Sequence, residues 1–313
     1  VAIGLMARAV QAGEGASGGP LEGGVDAAKG LVSIEFRGKP LMTYAFAGNQ
    51  FKPYVRALWT LRGENVLRDA PADHLHHHGL MLALRVNGVN FWEERSPAGR
   101  QVPVGSPELT FGSGQGGRPE AAIRQIVEWR TPVDRGPEQV LLRETREIRV
   151  SVNAGEEEVA LEWRSGFETG EGEPRYVLHG PDYHGLGLRF PVEFDHAAVF
   201  ANSAGLPYSE AQTFDVRPAA WTSSSGRMDG REVQVVLVAD GANPGRSSFF
   251  SMRNAFAYLA STPETSREPL EFRKGEKFAF RYLLLVYPAH QNAAYLNDRL
   301  GPWLTAGGRG RGR

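Results

Sequence analysis

The sequence predicts an all-β chain, a large antiparallel β-sandwich with a short C-terminal helix. Three observations carry this. From residue 31 onward, short segments alternate apolar and polar residues and are punctuated by Gly, Pro and Asn turns. Residues 121–130, 139–152 and 157–164 form three longer alternating runs that suit a large sheet. Helical spacing is convincing only once, near the C-terminus. With 41% hydrophobic and 23% charged residues, the chain can bury a sizeable core. No charged or Pro-rich linker interrupts the strands and no internal repeat is visible, so residues 29–305 read as one domain.

In order, strands are expected at 31–36 and 41–46, joined through Arg37-Gly38-Lys39-Pro40. Residues 51–59 follow, where Pro53 marks an edge or a strand start. A strand over 81–86 leads through Asn87-Gly88, a strong hairpin turn, into another over 89–94. The Gly/Pro/Ser-rich interval 96–119 offers one strand, at 108–111. In the second long strand, Leu142, Glu144, Arg146, Ile148 and Val150 share a face. The opposite face carries Arg143, Glu147 and Arg149, so it should meet water or a groove. The turn His179-Gly180-Pro181-Asp182 opens a strand over 183–190. Further strands are expected at 197–202, 233–239, 248–252, 255–259 and 278–287. The helix, about 290–304, has Ala293, Ala294, Leu296, Leu300 and Trp303 at near-helical spacing.

Residues 1–28 are expected outside the folded domain. Val10-Gln11-Ala12 resembles a signal-peptidase site, so 1–12 read as the remnant of a secretory leader, and 13–24 as a flexible Gly/Ser linker. That places the protein in the periplasm or outside the cell; a frayed terminus on a cytoplasmic protein is the rival reading. Residues 306–313 read as a disordered, solvated basic tail. The absence of cysteine removes disulfides, thiolate catalysis and Cys-held zinc, so a metal would need His and carboxylate ligands. A net charge of −1 gives no reason to expect nucleic acid or an anionic membrane as partner. No segment approaches the ~20 apolar residues that insertion requires.

The strongest functional signal is Asp73-His74-Leu75-His76-His77-His78-Gly79-Leu80, which holds four of the chain's eight histidines. Interruption by Leu75 and continuation into strand sequence set it apart from an affinity tag. If the run is already extended, residues 74, 76 and 78 share one face, roughly 6.5 to 7 Å apart, with His77 on the other. Three uses compete: a hydrogen-bonded polar patch, metal binding through His74 and His76, and metal-free acid–base work or sugar binding against a carboxylate. His184 is a second candidate, since Gly185 and Gly187 would admit a ligand or another backbone; a loop-capping histidine is the bland reading. Glu93 and Glu94 should face opposite ways on a strand, so at most one shares a pocket with a given His. Trp92 is either a stacking platform for a sugar or core, the commoner role. Lys52, Tyr54 and Arg56 alternate on one face, suited to hydroxyls or a carboxylate, or simply to solvent. Arg253 sits between two apolar strands, partly buried and paired. No Gly-x-Ser-x-Gly elbow or phosphate loop is present.

Taken in order, these pieces resemble a family of unknown function labelled methane oxygenase PmoA. Its Lys-Pro-Tyr motif is similar to residues 52–54, its Asp-His-Pro-His-His-Arg-Gly-Leu motif to 73–80, and its Asn-Gly-x-x-Phe-Trp segment to 87–92. Residues 183–189, Asn243-Pro244 and Arg253-Asn254 resemble later blocks. The resemblance covers about residues 30 to 305, with Leu75 in place of Pro and His78 in place of Arg. The label suits a membrane subunit, which this chain does not resemble. The family in turn resembles the galactose-mutarotase-like β-supersandwich group, whose members bind or process carbohydrates. That implies a groove on one sheet face with His74, His76, His77 and His184 at its wall. The function it implies is carbohydrate-active. His76 or His184 would be the acid and Glu94 the base, with Lys52, Tyr54, His74, His77, Trp92 and Arg253 binding substrate. A small carbohydrate or glycoside is the implied partner. A His-ligated metal enzyme, holding a divalent ion on His74 and His76, and a non-catalytic sugar-binding module are the alternatives.

Overall fold

A computed structural model describes residues 20–307 except 96, 134, 135, 210 and 211. The expected leader remnant and residues 308–313 of the expected basic tail lie outside the described residues, whereas Ala306 and Gly307 end a helix.

Strands do form from residue 31 onward, and all pair antiparallel. A nine-stranded sheet takes Leu21–Asp26, Leu31–Phe36, Lys39–Ala45, Tyr54–Leu58, Leu80–Ala83, Gly185–Arg189, Tyr258–Thr262, Ser248–Met252 and Phe214–Pro218, in that spatial order. An eight-stranded sheet takes Val199–Asn202, Trp221–Met228, Arg231–Ala239, Lys277–Tyr287, Glu158–Thr169, Val140–Asn153, Pro119–Arg130 and Arg100–Ser113. Leu270–Arg273, Arg175–His179, Arg85–Val86 and Val89–Asn90 make a small third sheet.

The core follows from alternation along each strand. Leu80, Leu82, Leu186, Leu188 and Leu259 point inward, against Ile123, Val127, Ile148 and Leu284 of the second sheet. Their neighbours Met81, Ala83, Tyr258 and Ala260 point to the opposite face of the first sheet, with Trp92, Phe250 and Phe256. A strand covered on both faces reads as a continuous apolar run, as Leu80–Ala83 does. The helix Ala293–Gly307 lays Leu296 and Leu300 on the outer face of the second sheet. Asn292 caps it, accepting from the amide of Tyr295 at 2.9 Å, so it starts later than its apolar spacing suggested. No helix is long and apolar enough to cross a membrane among the described residues.

Several expectations need correcting. The linker reading of residues 13–24 and the domain start at 29 fail from Leu21, which begins a strand paired with Leu31–Phe36. The interval 96–119 holds a 14-residue strand, Arg100–Ser113, rather than four residues. Its register shifts between Val104 and Glu108, so Gly105, Ser106 and Pro107 form an irregularity within pairing instead of ending it. Asn87 and Gly88 both have positive φ, 47° and 80°, the backbone that a tight two-residue hairpin needs. The strand after them stops at Asn90. Its side-chain oxygen accepts from the amides of Trp92 (2.9 Å) and Glu93 (3.2 Å) and turns the chain out of the sheet.

Within the sandwich, Glu144 and Arg146 are both buried. Two Arg146 nitrogens meet the carboxylate at 2.7 and 2.8 Å, and a third donates to the carbonyl of Pro53 at 2.6 Å. The opposite face of that strand is charged and wet, as expected, with Arg143 and Arg149 side chains 49% and 46% exposed.

Candidate functional site

The histidine run is not a strand. The amide of His74 donates to the carbonyl of Pro71, and that of His77 to the carbonyl of His74, both at 2.9 Å. Two successive turns replace the expected alternation, and pairing begins only at Leu80. Both flanks are tied to one strand: the Arg68 amide donates to the Arg189 carbonyl (2.9 Å), and the Arg189 amide to the Gly79 carbonyl (3.0 Å). Gly79 is required there, because a Cβ would collide with the carbonyl of Val55 and stand 2.9 Å from that of Arg56.

The turns bring His77 against His74 and His76, from which extension would have separated it. His77 stacks on His74 with centroids 4.6 Å apart and meets His76 edge-on at 4.6 Å. Phe256 lies 4.7 Å from His74 and 5.4 Å from His77. His74 Nδ1 is 3.0 Å from Asp73, whose same oxygen accepts from Arg189 at 3.1 Å. A carboxylate on Nδ1 fixes the ring and leaves Nε2 for other partners. Burial, reinforced by His76, His74 and Arg189, pushes His77 down to about 2, so its ring is neutral. Burial, with Lys52 and His74, also lowers His76. Asp73 is lowered too, because the His74 hydrogen bond and the Arg189 charge outweigh its burial.

His78 leaves this group. Its ring stacks on Tyr54 at 4.1 Å and bridges two carboxylates, with Nδ1 2.7 Å from Asp69 and Nε2 3.0 Å from Glu94. Burial opposes its charge, but the bonds to Asp69 and Glu94 win and raise it. Glu94 Oε1 also takes the Lys52 ammonium at 2.6 Å. Burial alone would raise Glu94, yet His78 and Lys52 hold it at about 2. Burial lowers Lys52, against the pull of Glu94.

These pieces line a cleft of about 850 Å³ on the outer face of the nine-stranded sheet. Asp73, His74, His76, His77, Glu93 and Glu94 are on its wall, with Tyr183, Phe250, Met252 and Phe256. Both glutamates face it, contrary to expectation, because the Asn90 turn replaces the strand that would have set them opposite. Trp92 also lines the cleft but is 1% exposed, with one face stacked on His184 at 5.0 Å; it belongs to the core cluster and is no open platform. His184 is likewise 1% exposed and absent from the lining, and burial holds it well below its ordinary range. Lys52, Tyr54 and Arg56 do share a face. They hold Glu94, stack on His78 and pair with Asp69, respectively; none lines the cleft, and only Arg56, with its side chain 54% exposed, meets solvent. Arg253 lies outside the lining, and its carbonyl accepts from the His196 amide at 3.0 Å. His74 and His76 have ring centroids 5.7 Å apart, and among the described residues no three His, Asp or Glu side chains are grouped to hold a metal.

Residue reading missed Asp69 and Arg189 as site partners and did not assign Asp73 a role. The carboxylates flanking the run were a usable signal; Arg189, far along the chain, had none.

Fold and cleft together define a β-sandwich protein with a histidine-walled cleft on one sheet face. The chain belongs to the Family of unknown function (DUF6807), which matches residues 31–300. The methane-oxygenase label does not come with that match. No curated protein matches the chain. Among solved structures, a putative aldose 1-epimerase from Klebsiella pneumoniae is similar at 10% identity and a TM-score of 0.46, over 91% of this chain and 87% of that one. An α-galactosidase from Geobacillus stearothermophilus is similar at 11% identity and a TM-score of 0.48, over 87% of this chain and 42% of that one. One from Lactobacillus brevis gives 8%, 0.46, 81% and 39%. The chain thus spans about two fifths of the galactosidases' length.

Proposed function

We propose that this protein is a carbohydrate-active enzyme that moves protons on a sugar or glycoside, with His74 and His76 as the transferring groups. The observation that carries the reading is the Asp73–His74 pair beside His76 on the wall of one cleft. Burial favours neutral His76, which suits a proton acceptor and reverses its expected role as acid. His74 donates Nδ1–H to Asp73, and as the imidazolium, whose charge that carboxylate offsets, it would donate a second proton from Nε2 to a ring or glycosidic oxygen. Glu94 is too acidic to serve as the expected base. It stays ionised, and with Oε1 taken by Lys52 and His78 its role is to accept from a sugar hydroxyl through its other oxygen. The carbohydrate part of the reading draws on the motif resemblance, together with a cleft that mixes aromatic and hydrogen-bonding walls.

Turnover on a panel of free sugars and glycosides, followed by NMR, tests this. His74→Asn and His76→Asn should each lower the rate by about 10²-fold or more, with unchanged melting temperature. Binding without turnover would make the protein a sugar-binding module, and turnover indifferent to both variants would remove the assignment.

A further inference from the structure

The cleft's lining comes in two chemistries from separate stretches of chain. Residues 73–77 and 93–94 supply most of the polar wall, whereas Tyr183, Phe250, Met252 and Phe256 supply apolar surface. At about 850 Å³ the cleft lies high in the ~300–1,000 Å³ range that encloses drug-sized ligands, more than one pyranose ring would fill. Apolar surface facing such a space is stabilised by an apolar occupant. Two polar atoms of lining residues, His77 Nδ1 and Trp92 Nε1, are buried without a hydrogen-bond partner. Buried polar atoms are nearly always satisfied, so these two mark where a ligand's hydroxyls would be received. Lys52 is 1% exposed and holds Glu94 and the Trp92 carbonyl, so its ammonium is taken up behind the cleft wall.

Resting on the function proposed above and narrowing its substrate, we infer that the cleft binds a glycoside with an aromatic or other apolar aglycone. The sugar lies against the histidine turns and the aglycone against Tyr183 and Met252, which are half-buried on the apolar wall that Phe250 and Phe256 back.

Calorimetry on the full chain tests this with three probes: the methyl and phenyl glycosides of the same hexose, and phenol. The phenyl glycoside should bind at least about tenfold tighter than the methyl glycoside. Met252→Ala and Tyr183→Ala should each shrink the phenyl-to-methyl ratio, and two variants guard against one failing to fold. Methyl and phenyl glycosides binding equally would overturn the inference while leaving the sugar reading intact. Phenol binding as tightly as its glycoside, or no probe binding at all, would overturn both.

Discussion

His77 shows what a single side chain contributes when it is buried in its neutral form. Its ring is 6% exposed, and burial beside His74, His76 and Arg189 pushes it down to about 2. Because the folded value lies below the ordinary 6.5, this stability is present above pH 6.5 and is lost as pH falls toward 2. At about 1.4 kcal/mol per pH unit, moving from pH 7 to pH 4.5 should cost about 2–3 kcal/mol through this residue. Urea denaturation at both pH values checks it. His77→Gln should lose correspondingly less stability on acidification than the parent, and an identical loss would contradict the burial argument. Residue types at the site were legible because four histidines in five positions are conspicuous. Their protonation was not, because it depends on rings and charges that arrive from elsewhere in the chain.

At the scale of single elements, Gly185–Arg189 is the strand that positions the site. It pairs with Leu80–Ala83 on one side and Tyr258–Thr262 on the other, and its last residue anchors the histidine turns. A Cβ on Gly187 would collide with the Tyr258 hydroxyl and stand 3.2 Å from the Trp92 ring. The close approach expected at these glycines is real: at Gly185 the backbone carbonyl of Ser261 makes it, and at Gly187 side chains of the cleft floor do. Gly187→Ala should therefore destabilise by about 1–3 kcal/mol, read as a lower urea midpoint; an unchanged midpoint would show that the floor can yield. Strand positions were legible wherever period-2 alternation was uninterrupted. The strand Arg100–Ser113 was hidden by Gly105 and Pro107 at its irregularity, and the strand ending at Asn90 was overextended because a side-chain turn leaves no hydrophobic signature. For the same reason the histidine run read as extended. Turns built from backbone bonds between Pro71, His74 and His77 do not show in residue periodicity.

Across the whole molecule, the two-sheet sandwich was legible from composition and alternation, while the order of strands was not. The nine-stranded sheet passes from Leu80–Ala83 directly to Gly185–Arg189, so most of the eight-stranded sheet's long strands lie between them in the chain. The Asp73–Arg189 bond spans 116 positions. Contacts of such separation close late, because the chain entropy is lost before the contact stabilises anything. Pulse-labelled hydrogen exchange during refolding should protect the amides of the hairpin over residues 31–45 before that of Arg189, whose partner is the Gly79 carbonyl. Simultaneous protection would refute that order. The cleft is thus among the last parts of the protein to exist on each folding event. Because Phe250, Met252, Phe256 and Tyr258 also line it, the cleft of a newly synthesised chain stays open on one side until residue 258 has been made and docked.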